Sequence, residues 1–165
     1  AWTWELQALT RARFAVGPAA LAAAVEAVRQ GVLCRARDEA ALARELREMR
    51  ARMTAEQADR SGAGGPSGKH RTGGLVDIDF IAQLGILAGA AAHPQLIVPT
   101  GTAAQVDALA DVGWLDSREA LTLRETLQRL QAVKLMAALV GVTPGDGPDS
   151  SEAAALFDAR IGAVD

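Results

Sequence analysis

Apolar residues recur every three or four positions in stretch after stretch of this chain, and glycine, proline or a short polar residue closes most stretches. Such a period puts the apolar side chains on one face of a helix, so the pattern favours helices packed on helices. Trp2, Leu6, Leu9 and Arg13 share this spacing over a first helix, Trp2 to about Ala15, which Gly17-Pro18 stops. Pro18 suits the first turn of a second helix, where its missing N–H costs nothing. That helix runs to about Leu33 with Leu21, Val25, Val28 and Val32 on one stripe. Asp38 is a candidate N-cap for a third helix, Glu39 to about Asp59, striped by Leu42, Leu46, Met49 and Met53. Its other faces carry Arg44, Arg47, Arg50 and Arg52 among glutamates, the pattern of a solvated helix surface.

The second half continues the pattern. A long apolar segment, Leu75 to Ala92, ends at His93-Pro94. Thr102 is placed to cap a short helix ending near Val112, with Gly113 as its stop. Asp116 and Glu119 have capping-box spacing and open a helix to about Val140. Leu121, Leu123, Leu127, Leu130, Leu135 and Leu139 lie along it. Asp149 and Glu152 flank one more helix start. Two Gly-rich stretches interrupt the helices, a flexible loop at 60–73 and a second at 141–149. The expectation is one all-α domain over residues 1–165, an irregular bundle of six to seven helices.

Composition supports this class. Hydrophobic residues make up 50% of the chain, yet it has only three Phe, three Trp and no Tyr. Ala and Leu dominate instead, and both are strong helix formers. The formal charge of −3 argues against a dedicated nucleic-acid binder. Cys34 is the only cysteine, so no internal disulfide can form, which fits a reducing, cytoplasmic setting. No run approaches ~18 uninterrupted apolar residues, so no membrane partner is expected. The opening Ala1-Trp2-Thr3-Trp4-Glu5 has neither an initiator Met nor signal-peptide character, as expected of a piece of a longer protein.

The chemistry concentrates in Lys69-His70-Arg71-Thr72-Gly73-Gly74-Leu75-Val76-Asp77-Ile78-Asp79-Phe80-Ile81-Ala82-Gln83. A lysine and two glycines precede an acidic, otherwise apolar segment. Glycines let backbone come close to a ligand or another domain, and N–H groups at a helix start attract anions. Two carboxylates could hold Mg²⁺. On a strand Asp77 and Asp79 would share a face. On a helix they lie about 200° apart and cannot simply share one metal. The apolar run exceeds a typical strand, which favours the helix and puts Asp79 with Gln83. Asp77 is also explained by favourable interaction with the backbone dipole at a helix start. Asp79 lies further in and calls for a partner: Lys69, an arginine or a metal.

These residues resemble a signature of glutamine synthetase adenylyltransferases: a lysine, a short spacer, Gly-Gly-hydrophobic, one variable residue, Asp-Ile-Glu/Asp-Phe and a glutamine. Trp2-Thr3-Trp4-Glu5-Leu6-Gln7-Ala8-Leu9-Thr10-Arg11-Ala12-Arg13, Glu48 to Met53, and Ala92-His93-Pro94-Gln95-Leu96 are similar to that family too. The resemblance covers about residues 1–140. It departs at Asp79, where the family usually has Glu, in the His70-Arg71-Thr72 spacer, and over Ile97 to Gly101.

The resemblance implies a helical domain lying after a nucleotidyltransferase domain. In the family, one half of the enzyme attaches AMP from ATP to a tyrosine of glutamine synthetase, and the other half removes it by phosphorolysis. Asp at position 77 resembles the adenylylating, C-terminal half. The family's Gly-Ser-x-Asp-x-Asp catalytic segment is absent here, so the fragment is expected to be inactive alone. ATP and Mg²⁺ belong to the whole enzyme, and no metal or cofactor is expected of this fragment. On this resemblance Lys69, Gly73, Gly74, Asp77 and Asp79 line the catalytic cleft, and Arg11 and Arg13 face the nucleotide. Lys69 would offset phosphate charge, while Asp77 and Asp79 would orient basic groups or metal-bound water. The implied partners are the upstream catalytic domain, glutamine synthetase and the PII signalling protein, whose uridylyltransferase has a similar Lys…Gly-Gly-Leu segment. Trp2 and Trp4 would pack on the missing domain or within this one. His93 reads as a helix-end residue, His70 as an exposed loop residue and Cys34 as a small buried one. A docking module for glutamine synthetase or PII is the competing reading, and a plain helical scaffold the third.

Overall fold

The computed structural model describes residues 2–61, 72–140 and 150–162. Seven α-helices account for most of them: α1 (Thr3–Arg11), α2 (Ala19–Leu33), α3 (Glu39–Ser61), α4 (Leu75–Gly89), α5 (Thr102–Asp111), α6 (Ser117–Val140) and α7 (Ser151–Phe157). A 3₁₀ turn, Pro94–Ile97, joins α4 to α5, and a π-helical turn, Asp158–Gly162, follows α7. There is no strand among the described residues, so the expected all-α bundle is borne out. The second Gly-rich stretch, and all of the first except its ends, lie outside the described residues.

The bundle is built around α4. Its sequence is apolar on every side, which suits a helix enclosed by others. Helices α1, α3, α5, α6 and α7 all pack against it. Ile78, Ile81, Leu84, Ile86 and Leu87 have no exposed surface and meet Leu33, Leu46, Leu109 and Leu123 in one core. Burying a side chain of this size contributes roughly 1.5–3 kcal/mol. Close approach depends on Gly85, where a Cβ would stand 2.7 and 2.8 Å from the Leu109 methyls and 2.8 Å from Trp114.

Helix boundaries follow local signals. Asp38 Oδ1 accepts from the N–H groups of Ala40 and Ala41, capping α3. Asp116 Oδ1 accepts from the Glu119 N–H while Glu119 Oε2 accepts from the Asp116 N–H, completing the expected capping box. Gly113 takes φ +75 just after α5.

Four expectations need correction. Helix α1 stops at Arg11 rather than near Ala15, with Ala12 already extended. The α2 stripe faces the core only near its end: Leu21 and Val28 are 52% and 60% exposed, while Val32 packs against the core and Arg29 and Leu33 are buried. Arg29 decides that rotation, donating to the carbonyls of Leu9 and Ile97. The α6 stripe is buried only at Leu123, Leu127 and Leu130; Leu121 faces outward, and Leu135 and Leu139 run past the core. The arginines of α3 do not form one solvated face. Arg44 and Arg52 are exposed, but Arg47 donates to the Ile161 carbonyl and Arg50 is buried.

Candidate functional site

The two acids of α4 point to different sides of the bundle, as helical geometry requires. Asp77 faces α3. Its carboxylate is 1% exposed and forms a salt bridge with the Nε of Arg50. Its second oxygen accepts from the Gly73 N–H at 2.6 Å. Helix α4 therefore begins on a buried charge pair that ties its first turn to α3. Gly73, at φ +72, has no room for a Cβ, because that atom would lie 2.2 Å from the Ser150 carbonyl oxygen. The space beside Gly73 is thus filled by the start of α7. Gly74 is the N-cap of α4 and is buried.

Asp79 faces α1 and α5. Its Oδ2 accepts from Arg11 Nη1 at 3.0 Å, and its Oδ1 from Thr102 Oγ1 at 2.6 Å. The Arg11 side chain is 47% exposed and that of Asp79 25%, so this pair lies at the surface where three helices meet. Arg11 occupies the last turn of α1, a favourable place for a cation. One turn further along α4, Gln83 accepts from Gln7 at 2.6 Å, so Asp79 and Gln83 do share a face. Behind it, Gln105 donates to the carbonyls of Thr10 and Pro99, and its buried Oε1 has no partner among the described residues.

Arg11 and Asp79 are thus brought together. Arg13 is exposed beyond the end of α1, with no contact to either acid among the described residues. Gly73, Gly74 and Asp77 form a separate, buried group. Lys69 and His70 lie outside the described residues. Trp2 and Trp4 are 75% and 55% exposed, so more than half of each residue stays in solvent, beside Met49 and Arg52 of α3. His93 caps the 3₁₀ turn, as a helix-end residue should, and Cys34 is half-buried.

Sequence reasoning missed two of the partners. Arg50 lies three and four residues from Met53 and Leu46, which was the available sign that it faces inward. Thr102 was read as a helix cap, but Gly101 is the N-cap and the Thr102 hydroxyl is spent on Asp79. Nothing local links positions 79 and 102.

The fold and this polar face define an all-helical domain whose acids are engaged by arginine, hydroxyl and backbone donors. A family model described as GlnD PII-uridylyltransferase matches residues 41–139, and the chain belongs to that family. It is similar to proteins named bifunctional glutamine synthetase adenylyltransferase/adenylyl-removing enzyme, which bears out the resemblance read from the sequence. The relative from Xanthomonas campestris pv. campestris (strain B100) is 50% identical over 123 residues, 74% of this chain and 13% of the relative. That from Nitrosococcus oceani is 46% identical over 132 residues, 80% of this chain and 14% of the relative. That from Burkholderia pseudomallei is 43% identical over 129 residues, 74% of this chain and 13% of the relative. The chain thus spans about one-seventh of the length of these relatives. No helix of the described residues is long and apolar enough to cross a membrane.

Proposed function

We propose that this chain is the helical domain that follows a nucleotidyltransferase domain in a glutamine synthetase adenylyltransferase, in its adenylylating, C-terminal half. The whole enzyme transfers AMP from ATP to a tyrosine of glutamine synthetase and reverses the transfer by phosphorolysis, in the cytoplasm. The observation that carries this reading is the 50% identity over 123 residues to an enzyme of that name. Asp at position 77, in place of Glu, supports the choice of half.

The family chemistry uses Mg²⁺, and the acids of this chain do not suit it as ligands. Asp77 is taken up by Arg50 and the Gly73 N–H, and Asp79 by Arg11 and Thr102. No group of three His, Cys, Asp or Glu side chains among the described residues is placed to hold a metal. The metal and ATP therefore belong to the upstream domain in this proposal, and the isolated chain is inactive. The chain's own contribution is one wall of the cleft. Arg11 and Arg13 supply positive charge toward the nucleotide, and Lys69 offsets phosphate charge. Asp79 orients Arg11, while Gly73, Gly74 and Asp77 fix the start of α4 behind that wall.

A second reading is a docking module for glutamine synthetase or PII. The exposed Trp2, Trp4, Leu21, Val28, Leu135 and Leu139 favour it. Both readings are tested with the full-length protein, offered glutamine synthetase with MgATP and, separately, PII with MgUTP. Intact-mass spectrometry should show AMP on glutamine synthetase and no UMP on PII. UMP on PII with glutamine synthetase unmodified would reassign the chain to the uridylyltransferase. No modification of either, with stable binding of the isolated chain to one of them, would favour docking.

A further inference from the structure

We propose that helix α6 pairs with the α6 of a second copy of the protein, antiparallel and about a two-fold axis near Leu130. Leu130 is the last buried residue of α6, and the helix runs on to Val140, about 15 Å further. Only Lys134 is charged in that stretch, while Leu135, Met136, Leu139 and Val140 are 58–73% exposed. Helices in proteins are held mainly by packing an apolar face, so an apolar extension of this length calls for a partner. The exposed face also has a pattern. Leu121, Glu125, Gln128, Ala132, Leu135 and Leu139 lie alternately four and three residues apart, the spacing of a coiled-coil seam. On a helix of 3.6 residues per turn they fall within an arc of about 80°. All six are exposed, and Leu123, Leu127 and Leu130 face the core from the opposite side. Lys134 continues that core-side line, so its charge lies away from the seam.

The two halves of this face complement each other, which is why a second copy fits it. The first half borders a groove of about 840 Å³ between α5 and α6, with Ala103, Asp107 and Ala110 on one wall and Leu121, Gln128 and Gln131 on the other. The second half is the apolar ridge of Leu135 and Leu139. A two-fold axis near Leu130 lays the ridge of each copy in the groove of the other. It sets Leu121 against the partner's Leu139, Glu125 against the partner's Leu135 and Gln128 against the partner's Ala132. Such an interface is isologous, and each contact occurs twice. Glu125 keeps its pairing with Arg129 at 2.8 Å, and Arg124 keeps Asp107 at 2.7 Å on the groove's rim. Parallel pairing would instead set two copies of Glu125 against each other, a like-charge contact. From Leu121 to Leu139 the seam is about 27 Å long, and with the α5 wall the two copies bury roughly 1,000 Å² together, the lower end for a specific interface. The dimer should therefore be weak, dissociating in the micromolar range.

The test is sedimentation velocity of the full-length protein over about 1 to 100 µM, which spans that range. The wild type should pass from monomer to dimer. Leu139→Glu and Leu121→Lys should each weaken association by about tenfold or more, because the charge enters an apolar contact twice per dimer. An equimolar mixture of the two variants should regain association close to wild type, since one end then pairs Lys with Glu and the other keeps Leu against Leu. Leu21→Glu, at an exposed leucine of α2, should leave association unchanged. Both seam positions are exposed, so melting temperatures taken on dilute samples should stay within a few degrees of wild type. A wild type that remains monomeric at the highest concentration overturns the pairing, and amide protection over 131–140 in that monomer would assign the seam to another part of the same polypeptide. A dimer that neither variant weakens, or a mixture that fails to recover, overturns it as well. None of these outcomes depends on which reaction the enzyme runs.

Discussion

Asp77→Ala should destabilise this domain far more than Asp79→Ala, although the two acids are two residues apart on one helix. Asp77 is 1% exposed and the Arg50 side chain 8%, so removing the carboxylate takes the Asp77 counter-charge from a buried guanidinium and the acceptor from the Gly73 N–H. Breaking a buried pair from one side costs about 3–5 kcal/mol. Arg50 keeps its hydrogen bond to Thr54 Oγ1, which places the loss near the lower end. At roughly 2–4 °C per kcal/mol for a domain of this size, a loss of about 3 kcal/mol lowers the melting temperature by about 6–12 °C. Asp79 sits in a surface pair that contributes about 0–1 kcal/mol, so its removal should lower melting by at most about 4 °C. Thermal melts of the two variants, followed by circular dichroism, measure the difference directly. The double variant Arg50→Met, Asp77→Leu should recover most of the loss, because an apolar pair of similar volume avoids the desolvation cost. Equal shifts for the two single variants, or an Asp77→Ala melt within about 2 °C of wild type, would refute the reasoning.

Other positions give independent checks. Gly73→Ala forces a left-handed φ on a residue whose Cβ would overlap the Ser150 carbonyl oxygen. It should raise amide exchange selectively in α7 and the following π-helical turn. Gly85→Ala gains about 1 kcal/mol of helix propensity but overpacks Leu109 and Trp114 by about 1–3 kcal/mol, so urea unfolding should show a net loss. Leu123→Ala, in the fully buried part of α6, should cost about 2–5 kcal/mol in the same assay, while Leu139→Ala should stay within about 0.5 kcal/mol.

Much of this architecture was legible in the sequence, because it is set by signals a few residues long. The caps at Asp38 and Asp116, the stop at Gly113 and the helical character of Leu75–Gly89 all act within one or two turns. What local spacing could not show was which face of an Ala-rich helix turns inward. In α2, apolar residues on one stripe are weakly committed, and hydrogen bonds from Arg29 to two distant carbonyls fix the rotation instead. In α3, the mixture of arginines and glutamates concealed that Arg50 is needed inside to balance Asp77. The acids at the candidate site stood out because they interrupt an apolar run. Their partners did not, since pairs such as Asp79 with Thr102 and Asp79 with Arg11 exist only once three helices have packed.

The measurement that bears most directly on the central claim is the rate of AMP addition to glutamine synthetase by the full-length enzyme and its Asp79→Asn variant, at ATP below saturation, with melting recorded on the same samples. If this helical domain forms a wall of the catalytic cleft, the variant should transfer AMP about tenfold more slowly or worse while melting within a few degrees of wild type. Unchanged transfer by the variant, with the wild type active, would remove Asp79 from the cleft and contradict the account.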